Sequence, residues 1–168
     1  MRIETGRLLI TDFSVDMCRD VHLNSLDEDN RRFVPDEVFE TLEEAEETVS
    51  FLIEAYSSAD GPFVHPILRR GDGANIGYVQ AVRVEEGFEI GYHIAKAYTG
   101  FGYASEAVSA FLPAILKQLG ISQMLGVVLE DNKASHRVLE KCGFRLFFQG
   151  IAPYQGEERS IRKYLYQK

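Results

Sequence analysis

The chain has 168 residues, of which 45% are hydrophobic and 26% are charged. This length suits a single domain over residues 1–168, and the composition is that of a folded globular protein rather than a disordered one. The net charge of −8 argues against nucleic acid as a partner, because neutralisation of phosphates dominates such binding.

The N-terminal third of the chain predicts one strand followed by helices. Arg7–Phe13 is apolar and rich in strand formers, which indicates the first strand, and Ser14–Asp27 has helical character. Residues 29–32 are expected to form a polar link. Thr41-Leu42-Glu43-Glu44 is a capping box, which predicts a helix from there to about Tyr56.

The middle of the chain predicts a β region. Gly61-Pro62 ends the preceding helix. Three strands follow, at Phe63–Leu68, Asn75–Val84 and Phe88–Ile94, joined by turns at Gly71-Asp72-Gly73 and Glu85-Glu86-Gly87.

The C-terminal part returns to alternating helices and strands. Gly100-Phe101-Gly102 opens a helix that we expect to end at Gly120, with Pro113 on its solvent side. We then expect a strand at Gln123–Leu129, a helix at Asn132–Cys142, and strands at Phe144–Gln149 and Ser160–Tyr166 around a polar loop. The order β-α-α-β-β-β-α-β-α-β-β predicts a mixed α/β layer fold.

Location and metal content can be addressed from the same composition. Residues 1–7 are polar where a signal peptide would be apolar, and no apolar run approaches the ~20 residues of a membrane helix. We therefore expect a cytoplasmic protein with no membrane partner. The two cysteines, Cys18 and Cys142, lack zinc-type spacing and the four histidines are scattered, so we expect no metal.

The glycine pair at Gly100 and Gly102 lies between a predicted strand and a predicted helix. Amides of a first helical turn have no partner within the helix, and glycines let a ligand approach closely, so a phosphate or diphosphate could bind there. A plain turn explains such a pair equally well. No Lys-Ser/Thr follows, and Ser105 stands at the third glycine position, which excludes a P-loop and a dinucleotide fingerprint.

Three segments carry a more specific combination: Glu89-Ile90-Gly91-Tyr92-His93-Ile94, Gly100–Ala107 and Asn132–Phe144. Together they resemble the GCN5-related N-acetyltransferase (GNAT) superfamily. The opening Ile3–Ile10 is similar to the first-strand pattern of the branch with RimJ/RimL-type ribosomal-protein N-terminal acetyltransferases. The resemblance covers nearly the whole chain. It implies an acyl-CoA N-acyltransferase fold with a mixed, mostly antiparallel sheet, and direct acetyl transfer from acetyl-CoA to an amine.

The resemblance also implies which residues bind acetyl-CoA. In the family, the fourth strand and the following loop bind the pantetheine arm and the diphosphate. The matching positions here are Tyr92, His93, Ile94, Thr99, Gly100, Phe101, Gly102, Tyr103, Ala104, Asn132 and Ser135. Asn132 also suits a helix N-cap. Ala97 stands where the superfamily usually has Gln or Arg, which removes a side-chain contact but leaves the backbone amides.

Ser135 is one of two candidate catalytic residues. On a helical wheel it shares a face with Ala134, Val138, Leu139 and Cys142, so a polar group points inward. Many superfamily members have a tyrosine at the position of Leu139 that protonates the leaving thiolate. The resemblance to the RimL-like branch implies Ser135 for that role, directly or through water. A structural serine bonded to a carbonyl one turn back is the alternative.

Glu89 is the other candidate, as a general base acting through water. It shares a strand face with Gly91 and His93, so His93 is its rival, although a structural imidazole is an equally ordinary role for His93. The apolar stretch 126–129 offers no carboxylate of the kind some members use. His136 is expected to be exposed. Cys142 is expected to be a structural cysteine.

The acceptor is expected to be a small or peptidic amine. Residues 1–60 hold 16 acidic and 5 basic side chains, including Asp27-Glu28-Asp29 and Asp36-Glu37, and in the family this region forms one wall of the acceptor site. This favours a cationic acceptor: a basic peptide N-terminus, a polyamine or an aminoglycoside-like amine. A merely solvated acidic surface is the alternative.

Two other functions remain open on this sequence. One is a CoA-binding or sensing module of the same fold without turnover, suggested by Ala97 and Leu139. The other is a nucleotide-binding regulatory domain that uses the same glycine loop. A monomer or a homodimer is expected.

Overall fold

The computed structural model describes residues 1–168 and contains eight strands and five α-helices. The strands are β1 (Arg2–Glu4), β2 (Leu8–Thr11), β3 (Phe63–Arg69), β4 (Asn75–Val84), β5 (Gly87–Ile94), β6 (Gln123–Leu129), β7 (Arg145–Tyr154) and β8 (Glu157–Gln167). The helices are α1 (Cys18–Ser25), α2 (Glu28–Phe33), α3 (Leu42–Ala55), α4 (Tyr103–Leu119) and α5 (Lys133–Lys141). Short 3₁₀ turns occur at Val15–Met17, Pro35–Glu37 and Lys96–Tyr98.

All strands belong to one sheet, in the order β1-β2-β3-β4-β5-β6-β8-β7. Every neighbouring pair is antiparallel except β5 and β6, which are parallel. The predicted mixed, mostly antiparallel sheet flanked by helices is therefore confirmed. β5 pairs with β4 along its whole length, from Gly87 to Ile94, but it pairs with β6 only where Glu89 meets Leu125. Beyond Glu89 the sheet is open between β5 and β6.

The helices cover both faces of the sheet. Successive side chains of a strand point to opposite faces, and in β3 Phe63 belongs to the larger core while Val64 belongs to the smaller one. The larger core packs α4 and α5 against the sheet, with Phe111 and Leu139 among its buried side chains. The smaller core packs α1 and α3 on the other face.

Several helix boundaries follow from local sequence as predicted. Thr41 and Glu44 make both bonds of the capping box at the start of α3. α4 ends at Gly120, which adopts the left-handed conformation (φ 66°), and Pro113 lies exposed on its outer side. α5 begins after its N-cap Asn132.

Two predictions about local structure are wrong. Residues 28–33 form helix α2 rather than a polar link, because the Asp27 side chain caps the helix by accepting from the Asn30 amide (2.8 Å). The expected polar loop between the last two strands is a two-residue turn at Gln155-Gly156, since β7 and β8 extend as a long edge hairpin. A further short strand, β1, precedes the predicted first strand.

No helix is both long enough and apolar enough to cross a membrane.

Candidate active site

The glycine loop presents a row of free backbone amides. The amides of residues 100–105 donate no hydrogen bond within the chain. Gly100 and Gly102 both have positive φ (85° and 80°), and a Cβ added at Gly100 would meet no atom within 4 Å. The loop is therefore an unblocked cradle of donors at the N-terminus of α4, which is a suitable place for a diphosphate.

Arg7 holds this loop from outside. Its Nη1 donates to the Phe101 carbonyl (3.0 Å) and its Nε to Glu106 Oε2 (2.7 Å), while its guanidinium lies 4.6 Å from the centre of the Tyr103 ring. Thr5 Oγ1 also donates to Glu106 (2.5 Å). Although burial acts in the opposite direction, the hydrogen bonds from Thr5 and Arg7 keep the pKa of Glu106 below its ordinary value. Glu106, in the first turn of α4, is thus an ionised carboxylate whose charge is balanced by Arg7.

A cavity of about 750 Å³ lies beside the opening between β5 and β6. Eight of the residues predicted for the site line it: Glu89, Tyr92, His93, Ile94, Thr99, Ala104, Asn132 and Ser135. The other four predicted positions, Gly100, Phe101, Gly102 and Tyr103, belong to the cradle and do not line the cavity. The structure therefore brings the predicted catalytic residues together in one space and places the glycine loop next to it.

The start of α5 fixes the backbone of Ser135 and leaves its hydroxyl free. Asn132 Oδ1 accepts from the Ser135 amide (3.2 Å), so Asn132 is the N-cap, and Tyr92 Oη donates to the Ser135 carbonyl (3.0 Å). The Ser135 hydroxyl makes no hydrogen bond within the chain, so the alternative of a serine bonded one turn back is not observed. Leu139 is buried, whereas Ala134, expected on the same face, is exposed at the cavity's rim.

Glu89 and His93 share one face of β5 but differ in their surroundings. Burial raises the pKa of Glu89 to about 7, and the positive charge of Lys163 only partly opposes this effect. His93 Nε2 lies 3.2 Å from Asp27 Oδ2. Burial lowers the pKa of His93 despite this carboxylate, so the imidazole is held neutral. A pKa near neutrality suits Glu89 for proton transfer, whereas His93 Nε2, although close to Asp27, makes no hydrogen bond within the chain.

His136 is buried, which contradicts the expected exposure. Its Nδ1 lies 3.0 Å from Tyr164 Oη and its Nε2 lies 3.2 Å from the Glu130 carbonyl oxygen. The outward side of α5 is covered by β8, which a helical wheel of α5 alone does not reveal. Cys142 is half-buried with its Sγ 3.3 Å from Ser109 Oγ, and burial raises the pKa of its thiol, consistent with the expected structural role.

The structure adds two cavity residues to which sequence reasoning gave no individual role. Glu37 lines the cavity and accepts a hydrogen bond from Gln80 Nε2 (3.3 Å), and burial raises the pKa of its carboxyl to about 7. Tyr154 also lines the cavity. Burial, followed by the charges of Glu89 and Glu37, raises the pKa of Tyr154 to about 12. The only signal in the sequence was the acidic pair that contains Glu37, since Tyr154 fell in the expected loop.

The cavity lining is acidic and contains no lysine or arginine. Its four carboxylates belong to Asp29, Asp36, Glu37 and Glu89, and of these Asp29 is paired with Lys96 Nζ (2.9 Å). No group of three or more His, Cys, Asp or Glu side chains is arranged to bind a metal ion. Acidic side chains thus outnumber basic ones in the cavity lining.

Comparison with known proteins identifies relatives along almost the whole chain. Residues 7–145 match the family model described as an acetyltransferase (GNAT) domain. The uncharacterized N-acetyltransferase YnaD of Bacillus subtilis strain 168 is 29% identical over 161 residues, which are 94% of this chain and 91% of that protein.

Two solved structures illustrate the similarity of fold. An acetyltransferase (GNAT family) from Bacillus anthracis has a TM-score of 0.84 at 27% identity, covering 99% of this chain and 98% of that one. RimL, a ribosomal L7/L12 alpha-N-protein acetyltransferase in complex with coenzyme A, has a TM-score of 0.82 at 18% identity, covering 99% and 98%.

Proposed function

Because this chain belongs to the GNAT family of acetyltransferases, we propose that it transfers the acetyl group of acetyl-CoA to a cationic primary amine. The observation that carries the proposal is the row of free amides at residues 100–105, next to the point where β5 and β6 separate. The proposal includes the RimJ/RimL-type branch, which the Ile3–Ile10 pattern and Ser135 support.

The residues present fit coenzyme A. The free amides of residues 100–105 would bind the diphosphate, and the glycines leave room for its approach. Residues 90–94 of β5 have no strand partner on the side of β6, so their backbone is available to the pantetheine arm. When bound, acetyl-CoA supplies an acetyl thioester activated towards attack by an amine. Ala97 is exposed and offers no side-chain contact to coenzyme A. The backbone amides of residues 100–105 would therefore bind the diphosphate without help from this side chain.

Glu89 and Ser135 would perform the proton transfers. Glu89 takes a proton from the acceptor ammonium, because its carboxyl has a pKa of about 7 and is therefore a base at neutral pH. Ser135 Oγ gives a proton to the sulfur that leaves, directly or through water. Its free hydroxyl on a fixed backbone is suited to this role.

The acceptor would be an amine with positive charge. The cavity is acidic and has no lysine or arginine that could bind an anionic acceptor. Buried carboxylates without a cationic partner are costly, and an ammonium group from the substrate would offset that cost.

A titration with acetyl-CoA tests the proposal, with two glycine variants as a matched pair. Gly100→Ala and Gly73→Ala both place a side chain at positive φ (85° and 74°) in open space, so their backbone strain is similar. Only Gly100 lies in the cradle. We expect Gly100→Ala to weaken acetyl-CoA binding roughly tenfold or more, and Gly73→Ala to leave it unchanged in calorimetry.

An amine panel with a thiol-release assay completes this test. Turnover with a cationic amine is expected. Binding of acetyl-CoA without turnover of any amine would indicate the sensing module instead, and stabilisation by a nucleotide but not by acetyl-CoA would indicate the regulatory domain. Equal acetyl-CoA affinity in both glycine variants would place the cofactor elsewhere.

A further inference from the structure

Glu37 and Glu89 face the same cavity from different elements, and neither has a cationic partner there. Glu89 extends from β5, and Glu37 comes from the 3₁₀ turn after α2. Gln80, which pairs with Gly91 across β4 and β5, donates to Glu37. Glu37 is thereby held at the level of Gly91, two residues along β5 from Glu89. The offset is roughly 7 Å along the strand.

Two amide oxygens in the same lining also lack donors. Asn30 is only 1% exposed, and both hydrogens of its Nδ2 are used, on the carbonyls of Ser25 and Glu37 (3.2 Å each). Its Oδ1 has no partner. Gln155 Nε2 donates to the Phe33 carbonyl (2.9 Å) and its Oε1 is likewise without a partner. Buried acceptors normally find donors, so these two oxygens are unsatisfied positions in the wall beside Glu37.

The surroundings of these acceptors are largely apolar. Phe33 at the end of α2, the following Val34, and Val82 and Val84 of β4 line the space. The Gln155 bond to Phe33 joins the β7–β8 turn to α2 across this part of the cavity. An apolar lining with carboxylates at two levels fits an alkyl chain that carries ammonium groups.

We infer that the acceptor is a short aliphatic diamine or polyamine, whose distal ammonium is bound by Glu37 while the amine to be acetylated faces Glu89. This inference rests on the proposed function for the role of Glu89. Glu37 is the residue that would distinguish a dication from a simple amine of the same length. Its hydrogen bond from Gln80 fixes the carboxylate beside the strand that carries Glu89.

The test compares putrescine, a four-carbon diamine, with butylamine, its monoamine match. Binding of each is measured by calorimetry with coenzyme A present, in the parent protein, in Glu37→Gln and in Glu43→Gln. Glu43 is exposed on α3 outside the cavity, so its variant makes the same change in net charge. We expect the parent to bind putrescine roughly tenfold more tightly than butylamine, Glu37→Gln to lose this preference, and Glu43→Gln to retain it.

Each alternative result is informative. An equal affinity of the parent for both amines would overturn the inference without any variant, and so would an equal loss of preference in both variants. Tighter binding of a basic tripeptide than of putrescine would show a peptide acceptor instead. Because these are binding measurements, they remain decisive even if no acetyl transfer occurs, an outcome that would count against the proposed function alone. Thermal melting verifies that Glu37→Gln is folded.

Discussion

Ser135 and Leu139 lie one turn apart in α5 and have different roles. Leu139, one turn later, is 1% exposed and packs against β6 where Gly126 leaves room for it: a Cβ at Gly126 would lie 2.9 Å from Leu139 Cδ1. Leu139 therefore contributes packing only. Ser135 contributes the free hydroxyl, and its amide and carbonyl are both bonded. The position of the hydroxyl is thus set by backbone contacts rather than by its own hydrogen bonds.

Replacing Ser135 by alanine separates catalysis from binding. We expect kcat to fall by about a hundredfold or more, because general acid catalysis typically contributes at least that much. The affinity for acetyl-CoA is expected to remain, since the amide that Asn132 caps is unchanged. Steady-state kinetics and calorimetry measure the two quantities. Ser109→Ala, at an exposed serine of α4 outside the cavity, is the control and should keep the parent kcat. Unchanged turnover of Ser135→Ala would remove the serine from the mechanism.

Residue-level prediction succeeded where a local rule decides the position. Asn132 was predicted as an N-cap because the preference depends only on its own helix. His136 was predicted to be exposed because its burial depends on Tyr164, which is distant in sequence and arrives through β8. The inward direction of Ser135 could be predicted, but the absence of a bond from its hydroxyl could not.

At the scale of elements, the link between β1 and β2 is tied to the start of α4. Arg7 pairs with Glu106 and donates to the Phe101 carbonyl, which links this segment to the loop before α4. Without Arg7, Glu106 would be an unpaired carboxylate beside the proposed diphosphate site. We therefore treat Arg7 as a positioning residue rather than a catalytic one.

A double-variant cycle tests the role of the Arg7–Glu106 pair. Arg7→Ala is expected to raise the KM for acetyl-CoA roughly tenfold while kcat stays near the parent value, because the cradle loses its support and Glu106 repels the diphosphate. Combining it with Glu106→Gln removes the repulsion and should restore part of the loss. Kinetics at two salt concentrations measure the effect, since repulsion weakens with salt. A double variant as impaired as Arg7→Ala, at either salt concentration, would contradict the electrostatic part.

The elements that could be predicted are those whose signal is local. The capping box defines the start of α3, and the apolar pattern of residues 75–84 and 123–129 gives β4 and β6 at their observed bounds. α2 has almost no apolar periodicity, and its helix depends on the cap at Asp27. The β7–β8 hairpin is exposed at the edge of the sheet, so its polar residues gave the pattern of a loop.

At the scale of the whole molecule, the proposed active site forms where β5 and β6 separate within the single sheet. The single register pair between β5 and β6 leaves an opening, and the cavity beside it collects Glu37, Glu89 and Tyr154 from three distant segments. No local pattern could have predicted their meeting. The excess of acidic residues in positions 1–60 did indicate the sign of the charge at this site, although Asp29 is neutralised by Lys96.

This concentration of buried carboxylates makes the stability of the fold depend on pH. Burial raises the pKa of Glu37 and Glu89 from 4.5 to about 7, so between these values the folded protein binds more protons than the unfolded chain. The free energy of unfolding contributed by these groups therefore falls as pH rises through that window. At neutral pH the ionised carboxylates lower the stability of the fold, and a bound ammonium ligand would offset this loss.

Glutamine at either position removes the titration but keeps the shape. Relative to the parent, Glu37→Gln and Glu89→Gln are each expected to gain about 2 kcal/mol of unfolding free energy on going from about pH 4 to about pH 8. Chemical denaturation at both pH values measures this gain, and Glu43→Gln, at an exposed carboxylate, should show none. A pH-independent difference from the parent would mean that both carboxylates are well solvated. The acceptor site would then not bind its ligand through desolvated charge, since the same burial is the source of both effects.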